Sequence, residues 1–546
     1  MIRPILLTLG MTFSLGVSSL EAQEKFLGKT ADSWGAQLKS GDAKLRRSAA
    51  FALGKMGSRA FSVLKVMKSA YANENDVKTR ETMVFALGEI CRDSVSINTD
   101  PDLEKLFLGA ITDNDAHLRR SAAFALGCLS SKSEATRQAL ENAMTDPEAI
   151  VRQNAAFALG QFAESALPSL SKALRDKDSL VKRDAASVLL QMSDGDKVHE
   201  LLPDLLPLCR DANSEVRRAA LNVLVRIVDP KDTQAIPALR SALDDKDIEN
   251  KRNAALALSN IGGEETAIAL PVLLEAAKNG DLELRRQSVL AIRNIGKSAA
   301  AAVPELVRFL RDDKDAKLRE HAALALGGIG KAAEPAVPIL VKKIQDAAEN
   351  RDVRTECAMA LQRIGPVPAA EKVVPALLDV LGNPEQDAKV RERVMWSLRV
   401  HRENLRNLKG PLETFSRVMK EPPTEDNKML RYDCAYMLGM IWQQKAPDHT
   451  LDLLLEFLLD KQVKVYVDTA ASVGGTSTET KGGIGSVKEE GKGDGRIMAA
   501  DALLSMGPAR YAGRADIMRQ LRVLAADATL YEPLRKKSAA LVKAAR

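Results

Sequence analysis

The sequence predicts an all-α fold, a right-handed α-solenoid of about fourteen helix pairs. Three observations predict it. First, the ten residues LRRSAAFALG occur twice verbatim, at 45–54 and 118–127, and looser copies recur down the chain. A cation near the start of each copy marks it: Arg46, Arg80, Arg119, Arg152, Lys182, Arg217, Lys251, Arg285, Arg319, Arg354, Arg391, Arg431, Arg496 and Arg535. Most of these lie 33 to 37 residues apart, the period of a solenoid. Second, Pro168, Pro203, Pro237, Pro271, Pro304, Pro338, Pro375, Pro411 and Pro447 keep the same period. Proline is tolerated in the first turn of a helix, so each is expected to start the first helix of a unit. Third, 45% of the 546 residues are apolar and only 4% aromatic, which suits close-packed helices better than a β-sandwich.

The elements follow in order. Residues 1–22 read as a secretory signal: Arg3, then an uncharged apolar run from Ile5 to Leu20, with cleavage after Ser19 or Ala22. The mature chain is expected outside the cytoplasm, in the periplasm or beyond, with no later segment that spans a membrane. Residues 30–461 form the array, about twelve units plus the first helix of the thirteenth. Val303, Leu306, Val307 and Leu310 make one apolar stripe; after a polar turn, Leu318, Ala322, Ala325, Leu326 and Ile329 make a second, which Gly330 ends. Asp, Asn or Glu stands four residues before most markers and is expected to cap the second helix. Residues 462–495 interrupt the pattern with a Gly-rich loop. It fails as a phosphate loop, because Gly485 to Gly491 is one residue too long and Gly493 follows Lys492. Residues 496–546 resume the repeats. Trp34 reads as packing in the first helix.

The text LREHAALALGGIG at 318–330 resembles the HEAT repeat, in the short form named after phycobilisome lyases. That resemblance implies a ladder between neighbouring repeats, made by an Asp in the turn and an Arg in the second helix. It assigns Asp113 and Arg119, Asp146 and Arg152, Asp211 and Arg217, and Asp313 and Arg319 to the ladder. The unit of Arg354 lacks the Asp, which puts the ladder there in doubt.

Enzymatic readings are weaker. HEAT-repeat deoxyhypusine hydroxylases hold two irons with several His-Glu pairs, and this chain has one such pair, His199–Glu200, ahead of a helix start. Its five histidines (His117, His199, His321, His401, His449) read as solvent-exposed. A bilin lyase shares only the repeat, and a shared fold does not transfer function. The five scattered cysteines form no disulfide framework and no zinc motif; Cys357 and Cys434 fill slots that hold Ala elsewhere. No cofactor or metal is expected, and a net charge of +6 does not mark a nucleic-acid binder.

The position after the marker is less neutral. Arg47, Arg120, Arg183, Arg218, Arg252 and Arg286 occupy it, broken by Glu81 and Gln153, before it turns to Glu320, Thr355, Glu392 and Tyr432. Neighbouring second helices lie roughly 10 Å apart, so these residues would form a basic stripe. The expected function is that of an exported, non-enzymatic scaffold whose concave face binds a protein or an anionic polymer.

Overall fold

A computed structural model describes residues 25–92, 100–129, 133–368, 370–408, 410–461 and 494–546. The signal segment 1–22 and residues 462–493 of the insertion lie outside them. All fourteen markers fall on helices, from Arg46 on Ala43–Met56 to Arg535 on Glu532–Ala544. Each of these is the second helix of a pair. The first helix is often preceded by a short 3-10 turn, as Gly330–Ala336 precedes Val337–Gln345. The described helices divide into two compact units.

The first unit runs to Ile227 and includes Asp245–Asn253. It opens with a small hairpin that the sequence reading did not foresee, Lys25–Phe26 paired antiparallel with Lys29–Thr30. The hairpin sits on Trp34. The indole Nε1 donates to the Phe26 carbonyl at 3.0 Å, and the Lys29 ammonium lies 4.3 Å from the ring centre. Second helices then stack in chain order: Ala43–Met56, Val77–Arg92, Ala116–Cys128, Ala149–Leu159, Ser179–Gln191 and Ser214–Ile227, each against the next. First helices pack on their own partners, so every pair closes its apolar face against itself and its neighbours.

The second unit holds Val228–Asp244 and Ala254–Arg546. From Leu282–Ile295 to Glu532–Ala544 its second helices also stack in sequence. The helices on either side of the insertion, His449–Leu459 and Arg496–Met506, pack on each other as the two members of one pair. One run, Ala316–Gln345, is apolar and long enough by composition to cross a membrane. It is a repeat turned over at Gly330, whose φ of 69° needs glycine, and half of its most apolar window is buried.

The local signals hold with particular exceptions. Asp42, Asp115, Asp178, Asp281, Asp315, Asn350 and Asp387 accept a backbone N–H in the first turn of their helices. Glu148 makes no such bond, and Asn427 bonds instead to Thr424 and Pro422 in its own turn. Seven of the periodic prolines stand in the first turn of a helix or short helical turn, but Pro375 lies inside Ala370–Gly382 and Pro447 just precedes His449–Leu459. The helix at Pro375 begins early because Ala370, Val373 and Val374 are buried and extend its apolar face backwards.

Candidate functional site

The marker cations make a ladder. Arg119 Nε and Nη2 donate to the Asp146 carboxylate of the next repeat at 2.6 and 2.9 Å, while Nη1 donates to the carbonyls of Asp113 and Asn114 in its own turn. Arg152 repeats the pattern with Asp176 and its own Asp146 carbonyl, and Arg217 with Asp245 and its own Asp211 carbonyl. Arg80 reaches Asp113, Lys182 reaches Asp211 and Arg285 reaches Asp313. Each ladder Asp thus gives its carboxylate to the preceding repeat, and at Asp113, Asp146, Asp211 and Asp313 the arginine of its own repeat takes its backbone carbonyl. The second carboxylate oxygen accepts a backbone N–H two residues on, as Asp113 does from Asp115 and Asp313 from Asp315, which fixes the turn.

Where Asp is missing, a longer side chain takes over. Arg319 binds Glu349 at 2.6 and 3.0 Å, Arg46 binds Glu74, Arg354 binds Gln386 and Arg391 binds Glu421. The doubt at Arg354 is thereby answered. Glu349 sits five rather than six residues before its marker, and its extra methylene covers the offset. The sequence reading missed these four because it looked for Asp at one spacing. Burial works against charge on Glu349, but the bonds from Arg319 and Lys343 hold its carboxyl at about 2. Hydrogen bonding from Arg217 holds Asp245 at about 2 as well.

The six arginines after the markers are all paired within the chain. Arg47 meets Asp76, Arg218 meets Asp247 and Arg286 meets Asp315 at 2.6 and 2.9 Å, each acid being at the head of the next second helix. Arg183 holds Asp184 and Glu215, Arg252 holds Glu249, and Arg120 reaches back to Glu81. These pairs stay partly exposed, so each cation is compensated where it stands but remains reachable from solvent.

Among the described residues no three His, Cys, Asp or Glu side chains converge to hold a metal ion. Two histidines depart from the exposed setting expected of them. His401 is buried, and burial lowers its pKa; His321 is half-buried, with Nδ1 3.1 Å from the Arg286 carbonyl. The carbonyl on the preceding second helix holds the His321 ring between the two helices, and His401 closes the turn Arg399–His401 where it packs on Ala388–Leu398 and Arg402–Asn407. Cys357 and Cys434 are fully buried and burial raises their thiol pKa, as it does for Cys209, pushed up to about 12.

One row escaped the sequence reading although its text was quoted. Phe51, Phe85, Phe124 and Phe157 stand five residues after four successive markers. Phe51 and Phe157 are 51% and 57% exposed. Phe85 and Phe124 stack on each other at 4.9 Å between centroids. The constant offset was the signal that would have found them.

Models of the HEAT repeat family match residues 103–190, 138–224, 202–293, 236–327, 270–347 and 303–399, which together cover more than half of the chain. The phycobilisome (PBS) lyase HEAT-like repeat matches residues 45–66. No curated protein matches. Among solved structures, an engineered protein is similar at 24% identity over 68% of this chain and 98% of its own, with a TM-score of 0.46. Importin beta is similar at 14% identity over 94% of this chain and 73% of its own, with a TM-score of 0.42. The family matches and the ladder agree: the chain belongs to the HEAT-repeat family.

Proposed function

We propose that the protein is an exported, non-enzymatic scaffold that holds a protein partner on the face formed by its second helices, the concave face of the array. The observation that supports this most is a division of labour between adjacent positions. The marker cation is consumed in joining repeats, whereas the arginine after it is paired near the surface. A partner that brings both charges exchanges ion pairs there at little cost. A polyanion would have to break six of them, so the arginines favour a protein over an anionic polymer. Export rests on the apolar run Ile5 to Leu20 and its cleavage sites at Ser19 and Ala22.

The test is photo-crosslinking in the native envelope with a benzophenone side chain at position 120 or 218, on second helices, or at 105, on a first helix. A partner protein crosslinked from 120 and 218 but not from 105 is expected. Crosslinking from 105 alone would overturn the assignment of the face. Mass spectrometry of the chain from the envelope should find it starting at Leu20 or Gln23; an intact Met1 would contradict cleavage, and recovery of the chain only from the cytoplasm would contradict export.

A further inference from the structure

The charge of this chain is not spread along it. Residues 25–72 hold ten Lys or Arg and two Asp, a charge of +8, whereas the whole chain carries +6. The remainder is therefore slightly acidic. Pairing removes only part of the excess. Arg46 and Arg47 meet Glu74 and Asp76, and Lys68 meets Asp100 and Asp102. Lys25, Lys39, Lys44, Lys55 and Lys65 are exposed and have no acidic partner among the described residues. Lys29 Nζ donates to the neutral Gln37 Oε1 at 2.7 Å and lies over Trp34, so no counter-charge meets it there. A terminal repeat needs a polar outer face, but polarity does not call for one sign.

The hairpin at this end carries a residue that neither its turn nor its packing requires. Lys25–Phe26 and Lys29–Thr30 pair across a two-residue turn of Leu27 and Gly28, whose φ angles are 49° and 78°. A turn with two positive φ angles calls for Asn, Asp or Gly at its first position, because a bulky side chain is strained in the left-handed region. Packing does not offset that strain, since Leu27 is 77% exposed. The hairpin itself is firmly mounted. Its first strand lies against Ala43–Met56 and its second against Ala31–Gln37, with the Trp34 indole bonded to the Phe26 carbonyl. Leu27 is thus held out from the first helix pair with a lysine on either strand beside it. Phe61, on the turn Gly57–Val63 that packs on Ala31–Gln37, is a second exposed apolar side chain at this end.

These features select the occupant. A soluble polyanion would meet the lysines but offers nothing to Leu27. An acidic protein would meet the lysines but would need a cavity shaped for one projecting side chain. A bilayer with anionic lipids matches both: the apolar tip enters the acyl boundary, while ammonium groups on flexible stems meet the phosphates. One leucine holds a protein to a bilayer weakly, and the cations supply the second attraction.

We propose that the N-terminal end of the array docks the chain on the surface of an anionic membrane, with the Leu27 tip inserted and the unpaired lysines against lipid phosphates. This goes beyond the scaffold reading and does not use the face of the second helices, which stays free for a partner.

Vesicle flotation tests it, with the chain from Gln23, which keeps every described residue. The vesicles are equal parts phosphatidylglycerol and phosphatidylcholine, or phosphatidylcholine alone, at low salt. Binding to the anionic vesicles is expected to be at least about tenfold tighter than to the neutral ones. Leu27→Asn suits the turn, so it should melt no lower than the natural chain, yet bind the anionic vesicles about fivefold more weakly or worse. K25Q/K39Q/K65Q should weaken binding at least about tenfold, whereas K536Q/K537Q, in the last helix, should leave it unchanged. Leu27→Trp should be quenched by brominated acyl chains beyond the level of the natural chain, whose Trp34 is buried. Equal binding to both vesicles, binding undiminished by Leu27→Asn, or no added quenching of Leu27→Trp would overturn the proposal. So would soluble polyglutamate that binds the natural chain and Leu27→Asn alike and as tightly as the vesicles do, which would mark a site for polyanions or acidic proteins. Vesicle binding without protein crosslinks from 120 and 218 would sink the scaffold reading alone; crosslinks without vesicle binding would sink this one alone.

Discussion

Asp245 carries three tasks on one carboxylate. It takes both donors of Arg217, a bond from Asn250, and the backbone N–H of Asp247. Removing a cation from such a pair strands a buried charge. Arg152 is 4% exposed and its partner Asp176 is nearly as buried, so Arg152→Met should cost about 3 kcal/mol in urea unfolding. The ladder also sets acid stability. A carboxyl held below its unfolded value contributes stability above that value and loses it as pH falls through the folded one. With Glu349 and Asp245 at about 2, the melting temperature should drop between roughly pH 4.5 and 2, and Glu349→Gln should flatten that drop. Asp433 works in the opposite sense. Burial, with Glu392 nearby, pushes it up to about 8, against the weaker pull of Arg399 and Arg393, and its Oδ1 has no partner among the described residues. A raised carboxyl stabilises below its unfolded pKa and loses that contribution as pH rises through the folded one. Asp433→Asn should therefore melt higher than the natural chain at pH 8, with the gap closed by pH 4.

At the scale of the element, contact between second helices depends on glycine. A side chain at Gly127 would put its Cβ 2.8 Å from the Ala158 Cβ and 3.0 Å from its Cα, and backbone cannot step aside as a side-chain tip can. Gly127→Val should destabilise by about 2 kcal/mol through forced separation of Ala116–Cys128 and Ala149–Leu159, measured by urea unfolding.

 
The same contact explains what could be read beforehand. The Ala-Leu-Gly text and the period of the markers are local, so helix order and pairing were legible from sequence. Pro375 was misplaced because the buried face of Ala370–Gly382 outweighs the proline signal. Glu74, Glu349, Gln386 and Glu421 were missed because a longer side chain reaches the same guanidinium from a different offset, and one-letter spacing does not show reach. The phenylalanine row was written in the sequence, but only exposure separates it from core.

At the scale of the whole molecule, repeats stabilise one another through nearest neighbours, and most of each motif is spent on that. The surface left over is where function is sought. In the first unit it carries paired arginines and a row of rings that packing does not require. The most direct measurement replaces Phe157, and separately Phe61, with a photo-crosslinking residue in the native envelope and maps the attached peptide by mass spectrometry. The account predicts a crosslink from position 157, on a second helix, to a partner protein, and none from 61. Equal labelling from both positions, or none from 157, would contradict it.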